Sequence, residues 1–147
     1  MTERKPRRTR LPTQKLRAVV TVVAEQVTTP FSYLVIRAAG SILESTMLEL
    51  LENIRKEVNA HPSRRMLVDL RETEVHLSIS DMNGLAKLVL TNFAGVVDKI
   101  AIILRREFIL AEKFFEPLLR SKGLPVLVTD DQDEAIYWLG ARFSQNR

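Results

Sequence analysis

Two histidines, no cysteine and eighteen carboxylates are what this chain could bring to catalysis or metal binding. A hydrolase triad needs a nucleophile, a base and an orienting acid. His61 lies beside Pro62 in a turn and His76 in a polar loop, with no motif around either. Two isolated histidines also lack the spacing of metal ligands. The acidic run Asp130, Asp131, Asp133 and Glu134 falls where a helix should begin, and carboxylates there complement the helix dipole, so it reads as capping and not as a metal site. The five glycines are scattered and form no Gly-rich strand-to-helix turn of the kind that cradles phosphate. Asp69, Glu72 and Glu74 gather at a strand end, where open α/β sheets place their ligand crevices. A carboxylate at such a point more often fixes a loop by accepting backbone hydrogen bonds. The residues therefore nominate no catalytic group, no metal site and no cofactor, and the expectation is a non-enzyme.

The elements that must position these residues follow from periodicity. Leu16–Glu25 and Phe31–Ala38 are rich in Val, Leu and Ile, and the polar stretch Gln26–Pro30 between them reads as a hairpin loop. Gly40 should end the second strand. Ser41 and Glu44 then form a capping box that opens a helix, with Leu43, Met47, Leu50, Leu51, Ile54 and Val58 at helical spacing. Met66–Leu70 is a short, nearly all-apolar strand of the kind buried on both faces. A loop over Arg71–Leu77 leads to Ser78 or Ser80 as the cap of a second helix, whose Met82, Leu85, Ala86, Val89 and Phe93 keep helical spacing to Gly95. Lys99–Leu104 is a strand, Glu107–Ser121 a helix that Pro117 should kink or break, and Pro125–Val128 a strand. A last helix from Thr129 or Asp130 ends near Gly140. Phe114, Phe115, Tyr137 and Trp138 sit at helical positions and read as packing against the sheet. Strands alternating with helices through short connections imply parallel crossovers. The expected fold is α/β: a mostly parallel sheet of about five strands, an N-terminal antiparallel hairpin and four helices.

The 147 residues suit one domain, and 46% apolar composition can fill a core. The longest apolar stretch, Ala18–Ala24 interrupted by Thr21, is far below the roughly 20 residues of a spanning helix. The absence of cysteine favours a reducing, cytoplasmic setting. The net charge of +4 divides unevenly: residues 1–17 hold seven basic residues against one acidic, giving +6, and the remainder hold fifteen against seventeen, giving −2. Residues 1–14, with Arg4, Lys5, Arg7, Arg8 and Arg10 between two prolines, read as a disordered basic arm, and residues 15–147 as the domain. Nucleic acid or another anionic surface could be met through the arm alone.

Two local patterns carry a resemblance. Met66-Leu67-Val68-Asp69-Leu70-Arg71, followed by a loop and Asp81-Met82-Asn83-Gly84-Leu85, is similar to the strand, aspartate and Asp-Ser-x-Gly-Leu helix start of the STAS and SpoIIAA-like superfamily of sulfate transporters and anti-sigma-factor antagonists. Asp133-Glu134-Ala135-Ile136-Tyr137-Trp138-Leu139 looks like the Glu-Ala-x-x-Trp-Leu ending of the SpoIIAA-like branch related to STAS and SEC14 domains. From Leu16 onward, the resemblance implies a SpoIIAA-like fold and a non-catalytic regulatory or scaffolding module that binds another protein or, in some relatives, a small apolar ligand or lipid. It also implies a phosphorylatable serine where this chain has Met82, and a thioether cannot take a phosphate. Ser78 and Ser80 lie within about a turn of it and read as cap hydroxyls. The expected contact surface is Arg71, Glu72, Glu74, His76, Ser78, Ser80, Asp81, Met82 and Asn83, with the charges of the loop facing solvent. An exposed strand edge would also be compatible with a homodimer. An acyl-chain cavity near Val89, Phe93, Phe114 and Phe115 would mark the lipid alternative.

Overall fold

The computed structural model describes residues 20–141, except for the side chains of residues 110–112. The basic arm, the start of the first strand at Leu16 and the last six residues lie outside that range. Strand β1 (Val20–Val27) runs antiparallel to β2 (Tyr33–Ile42), and β3 (Arg65–Val75), β4 (Lys99–Ile103) and β5 (Val126–Thr129) follow in parallel. Their order in the sheet is their order in the chain. Crossovers of one hand that always step in the same direction must stack their helices on one face. Accordingly α1 (Glu44–Ala60), α2 (Ile79–Phe93), α3 (Arg106–Lys113) and α4 (Phe115–Arg120) cover one side, over Ile36, Met66, Val68, Ile100 and Val126. On the other side, among the described residues, lies only α5 (Gln132–Gly140), whose Ala135 and Leu139 pack on Tyr33, Val35, Leu67, Ala101 and Ile103.

The third helix breaks where proline chemistry requires. Pro117 has no N–H for the Lys113 carbonyl, and its ring crowds that carbonyl. The break falls at Phe114, one turn upstream, so five helices are found among the described residues where four were expected.

Three local expectations are corrected. Ser41 belongs to β2, and α1 is capped by Thr46, whose hydroxyl accepts from the Leu43 N–H at 2.9 Å and donates to the Ser41 carbonyl at 2.8 Å. Gly40 does not stop β2: it stays in the strand at φ 123°, a conformation open to glycine, paired with Val20 and Thr73. Arg71–Val75 is not loop but the continuation of β3, lying against Ala39–Ile42 of β2 past a bulge at Leu70 and Arg71. The run of apolar residues stops at Leu70, so hydropathy did not show that the strand went on. Among the aromatics, Phe115 is buried as expected, but Phe114 and Tyr137 are 46% and 81% exposed.

Lys99 opens β4 yet is buried, and its ammonium donates to the carbonyls of Trp138, Leu139 and Ala141 at the end of α5. A cation there satisfies orphan carbonyls and the negative end of the helix dipole. Burial and the neighbouring charge of Arg65 push its pKa down to about 8. No helix among the described residues is long and apolar enough to cross a membrane.

Candidate partner-binding surface

The expected surface is assembled by the far half of β3 and the first turn of α2. Alternation along β3 puts Asp69 on the α5 side of the sheet, one step past buried Leu67. There it is 8% exposed and held in a fork: the Arg71 guanidinium donates at 2.9 and 2.7 Å, and the Arg71 N–H at 3.1 Å. Burial alone would raise the Asp69 carboxyl, but these hydrogen bonds and the charges of Arg71 and Arg37 hold it below its ordinary value. The same Arg71 also donates to Gln132 of α5 at 2.8 Å. Asp69 is therefore a structural acceptor, and Arg71, expected to face solvent unengaged, is a bracket between β3 and α5.

Beyond the fork, Glu72, Glu74 and His76 are exposed, with His76 at 3.4 Å from Glu74. Thr73 alternates to the other face, where it is fully buried and its hydroxyl donates to the Leu70 carbonyl at 2.7 Å. Helix α2 opens with a reciprocal capping box: the Ser78 hydroxyl accepts from the Asp81 N–H at 3.0 Å, and the Asp81 carboxylate accepts from the Ser78 N–H at 2.9 Å. Ser78 is thus the cap, and Ser80 is an exposed residue of the first turn. Asn83 is exposed as well. Met82 is not part of this surface: at 2% exposure it packs in the main core with Ala86, Val89 and Phe93.

Two contributors were missed in the sequence. Ile79 is 71% exposed although its spacing from Met82 and Ala86 would place it on the buried stripe. Gln132 joins through the fold, and no sequence signal ties it to a residue 61 positions away. The remaining chemistry-bearing residues have local tasks. His61 Nδ1 lies 2.7 Å from the Glu57 carbonyl. Asp131 caps α5 through the N–H groups of Asp133 and Glu134, Glu134 receives the Thr129 hydroxyl, and Asp130 pairs with Arg106 at 2.9 Å. No cluster of three or more potential metal ligands occurs among the described residues.

An apolar cavity of about 80 Å³ lies between the sheet and α1, α2 and α4, with Val89, Phe93 and Phe115 in its wall but not Phe114. Ligand pockets commonly measure about 300–1,000 Å³. This one is too small for an acyl chain.

No family model matches the sequence, and no curated protein does. Solved structures do match in fold. An uncharacterised protein of the DUF3478 family with a SpoIIAA-like fold, from Shewanella loihica, shares 17% identity over 83% of this chain and 94% of its own, with a TM-score of 0.54. An anti-sigma factor antagonist from Mycobacterium paratuberculosis shares 15% over 84% of this chain and 96% of its own, at 0.51. The anti-sigma factor antagonist SpoIIAA in its unphosphorylated form shares 14% over 84% of this chain and all of its own, at 0.51. The chain has a SpoIIAA-like α/β fold.

Proposed function

We propose that this SpoIIAA-like domain is a non-catalytic regulatory module of the cytoplasm that binds another protein through the end of β3 and the first turn of α2. The observation that carries the reading is a set of exposed side chains on a fixed support: Glu72, Glu74, Ile79, Ser80 and Asn83 stand on a strand bracketed by Arg71 and a helix closed by Ser78 and Asp81, and His76 lies in the short connection between them, its N–H bonded to the Ile42 carbonyl. Groups presented on rigid elements lose little entropy when captured. Two of the structural neighbours are named anti-sigma factor antagonists, which agrees with a protein partner. Control by phosphate at the Met82 position does not fit, because a phosphate needs a hydroxyl in solvent and this site offers a buried thioether.

The test compares the full chain with a variant carrying Ala at Glu72, Glu74, His76, Ser80 and Asn83, both used to capture proteins from the source organism. The expected result is a partner retained by the first and lost by the second at unchanged melting temperature. Retention by both, with loss after deletion of residues 1–14, would move recognition to the basic arm. Steep loss of capture with added salt would then point to an anionic surface.

A further inference from the structure

The two edges of the sheet are finished differently. At β5 the N–H and carbonyl groups of Val126 and Val128 point away from β4, since Ile100 and Leu104 bond instead to Pro125 and Thr129. Side chains of α3 and α4 occupy three of these four groups: Glu116 accepts from the Val128 N–H at 2.5 Å, Lys113 donates to the Val128 carbonyl at 2.6 Å, and Arg120 donates to the Val126 carbonyl at 3.3 Å. That edge is four residues long and closed to another strand.

Among the described residues, β1 has none of these protections. It is eight residues long and, among the described residues, pairs only with β2. Its sequence, VTVVAEQV, contains no Pro, Gly, Lys or Arg, the residues that commonly blunt an edge. The single charge, Glu25, is already neutralised by Arg37 at 3.4 Å. Val23 is 64% exposed on the part of the face that α5 leaves open.

We infer that β1 is a self-association edge: two copies of this chain pair antiparallel through β1, about a two-fold axis at Val23, and join their sheets into one. A closed symmetric pair must use the same strand twice in opposite directions. Cross-strand partners must also share a face, so the axis has to pass through a residue position. Centring on Glu25 would set two carboxylates against each other, an unfavourable pairing. Centring on Val23 covers the exposed valine with its twin and sets Thr21 opposite Glu25 of the second copy, with no like charges in contact.

The absence of cysteine makes the register directly readable. The full chain should sediment and scatter light as a dimer in the micromolar range. Val23→Cys should form a covalent dimer under mild oxidation. Thr21→Cys and Glu25→Cys should each cross-link poorly alone but efficiently when mixed. Val23→Glu places a carboxylate opposite Arg37 within its own subunit and opposite its twin across the axis, so it should weaken the dimer by up to about fivefold with the melting temperature of the subunit retained. A chain monomeric at all these concentrations overturns the inference. So does a dimer that Val23→Glu does not weaken, or one that cross-links with a different register.

Discussion

The two faces of the sheet solve the same problem with unequal means. Among the described residues, one carries four helices and a continuous core running from Val20 through Phe93 to Val128, whereas the other carries a single nine-residue helix over five buried residues of the sheet. On the first face apolar area does the work, at about 25 cal/mol for each Å² removed from water. On the second face there is too little apolar area, and specific polar contacts supplement it: Arg71 ties the start of α5 to β3, and Lys99 closes its end. The lesson is that α5 is held by its two ends as much as by its middle.

The contrast is broken first by deleting core volume on each side. Phe93→Ala should cost about 3–5 kcal/mol and Leu139→Ala about 2–4 kcal/mol, read by urea denaturation. Amide exchange should then show α5 opening alone in the second variant, and equal loss of protection in α1 and α2 would mean that the faces are not separable. Asp69→Asn comes next, at about 1–3 kcal/mol, because it takes the charge out of a partly buried fork. The sign with pH follows from the lowered carboxyl. Its contribution is complete above the ordinary value of 3.8 and is lost as pH falls through the folded value. The acid side of the wild-type melting curve should therefore slope more steeply than that of Asp69→Asn, and parallel slopes would remove Asp69 from the account.

Smaller effects sharpen the picture. Val89→Ile adds one methylene facing the cavity beneath α2 and should gain up to about 0.8 kcal/mol, whereas a loss would show that the space is not available to a side chain. Glu72→Ala, Glu74→Ala and His76→Ala should each stay within about ±0.5 kcal/mol. A larger cost in thermal melts would show that these exposed side chains support the fold and are not free for a partner.

Where periodicity was strong, the sequence was readable. Met82, Ala86, Val89 and Phe93 announced α2, the acidic run from Asp130 announced capping at the start of α5, although Thr129 belongs to β5 and the cap is Asp131 in place of the expected Thr129 or Asp130, and Pro117 announced the break. It failed where pattern and backbone part company. Glu72-Thr73-Glu74 alternates as a strand does, but its buried member is a threonine, so hydropathy hid the continuation of β3. Half of the site was legible for the same reason. Ser78 and Asp81 speak through local spacing, whereas the engagement of Arg71 by Asp69 and Gln132, and the exposure of Ile79, depend on what the fold brings near and what it leaves bare.

The sequential strand order bears on how the chain reaches this state. Each strand from β2 onward docks beside the one made just before it, so no strand has to wait for a distant partner, and the loops to be closed are about one helix long. Short closures cost little entropy and favour fast, orderly folding. On a ribosome the helix-covered layer could be completed strand by strand as it emerges. The exception is α5, which comes last and returns to β3 and β4 across the opposite face. Until it arrives, Leu67, Ala101 and Ile103 face water, and the nascent domain has one finished side and one bare side, the interval in which a chain of this topology is most open to capture by a chaperone or by another copy of itself.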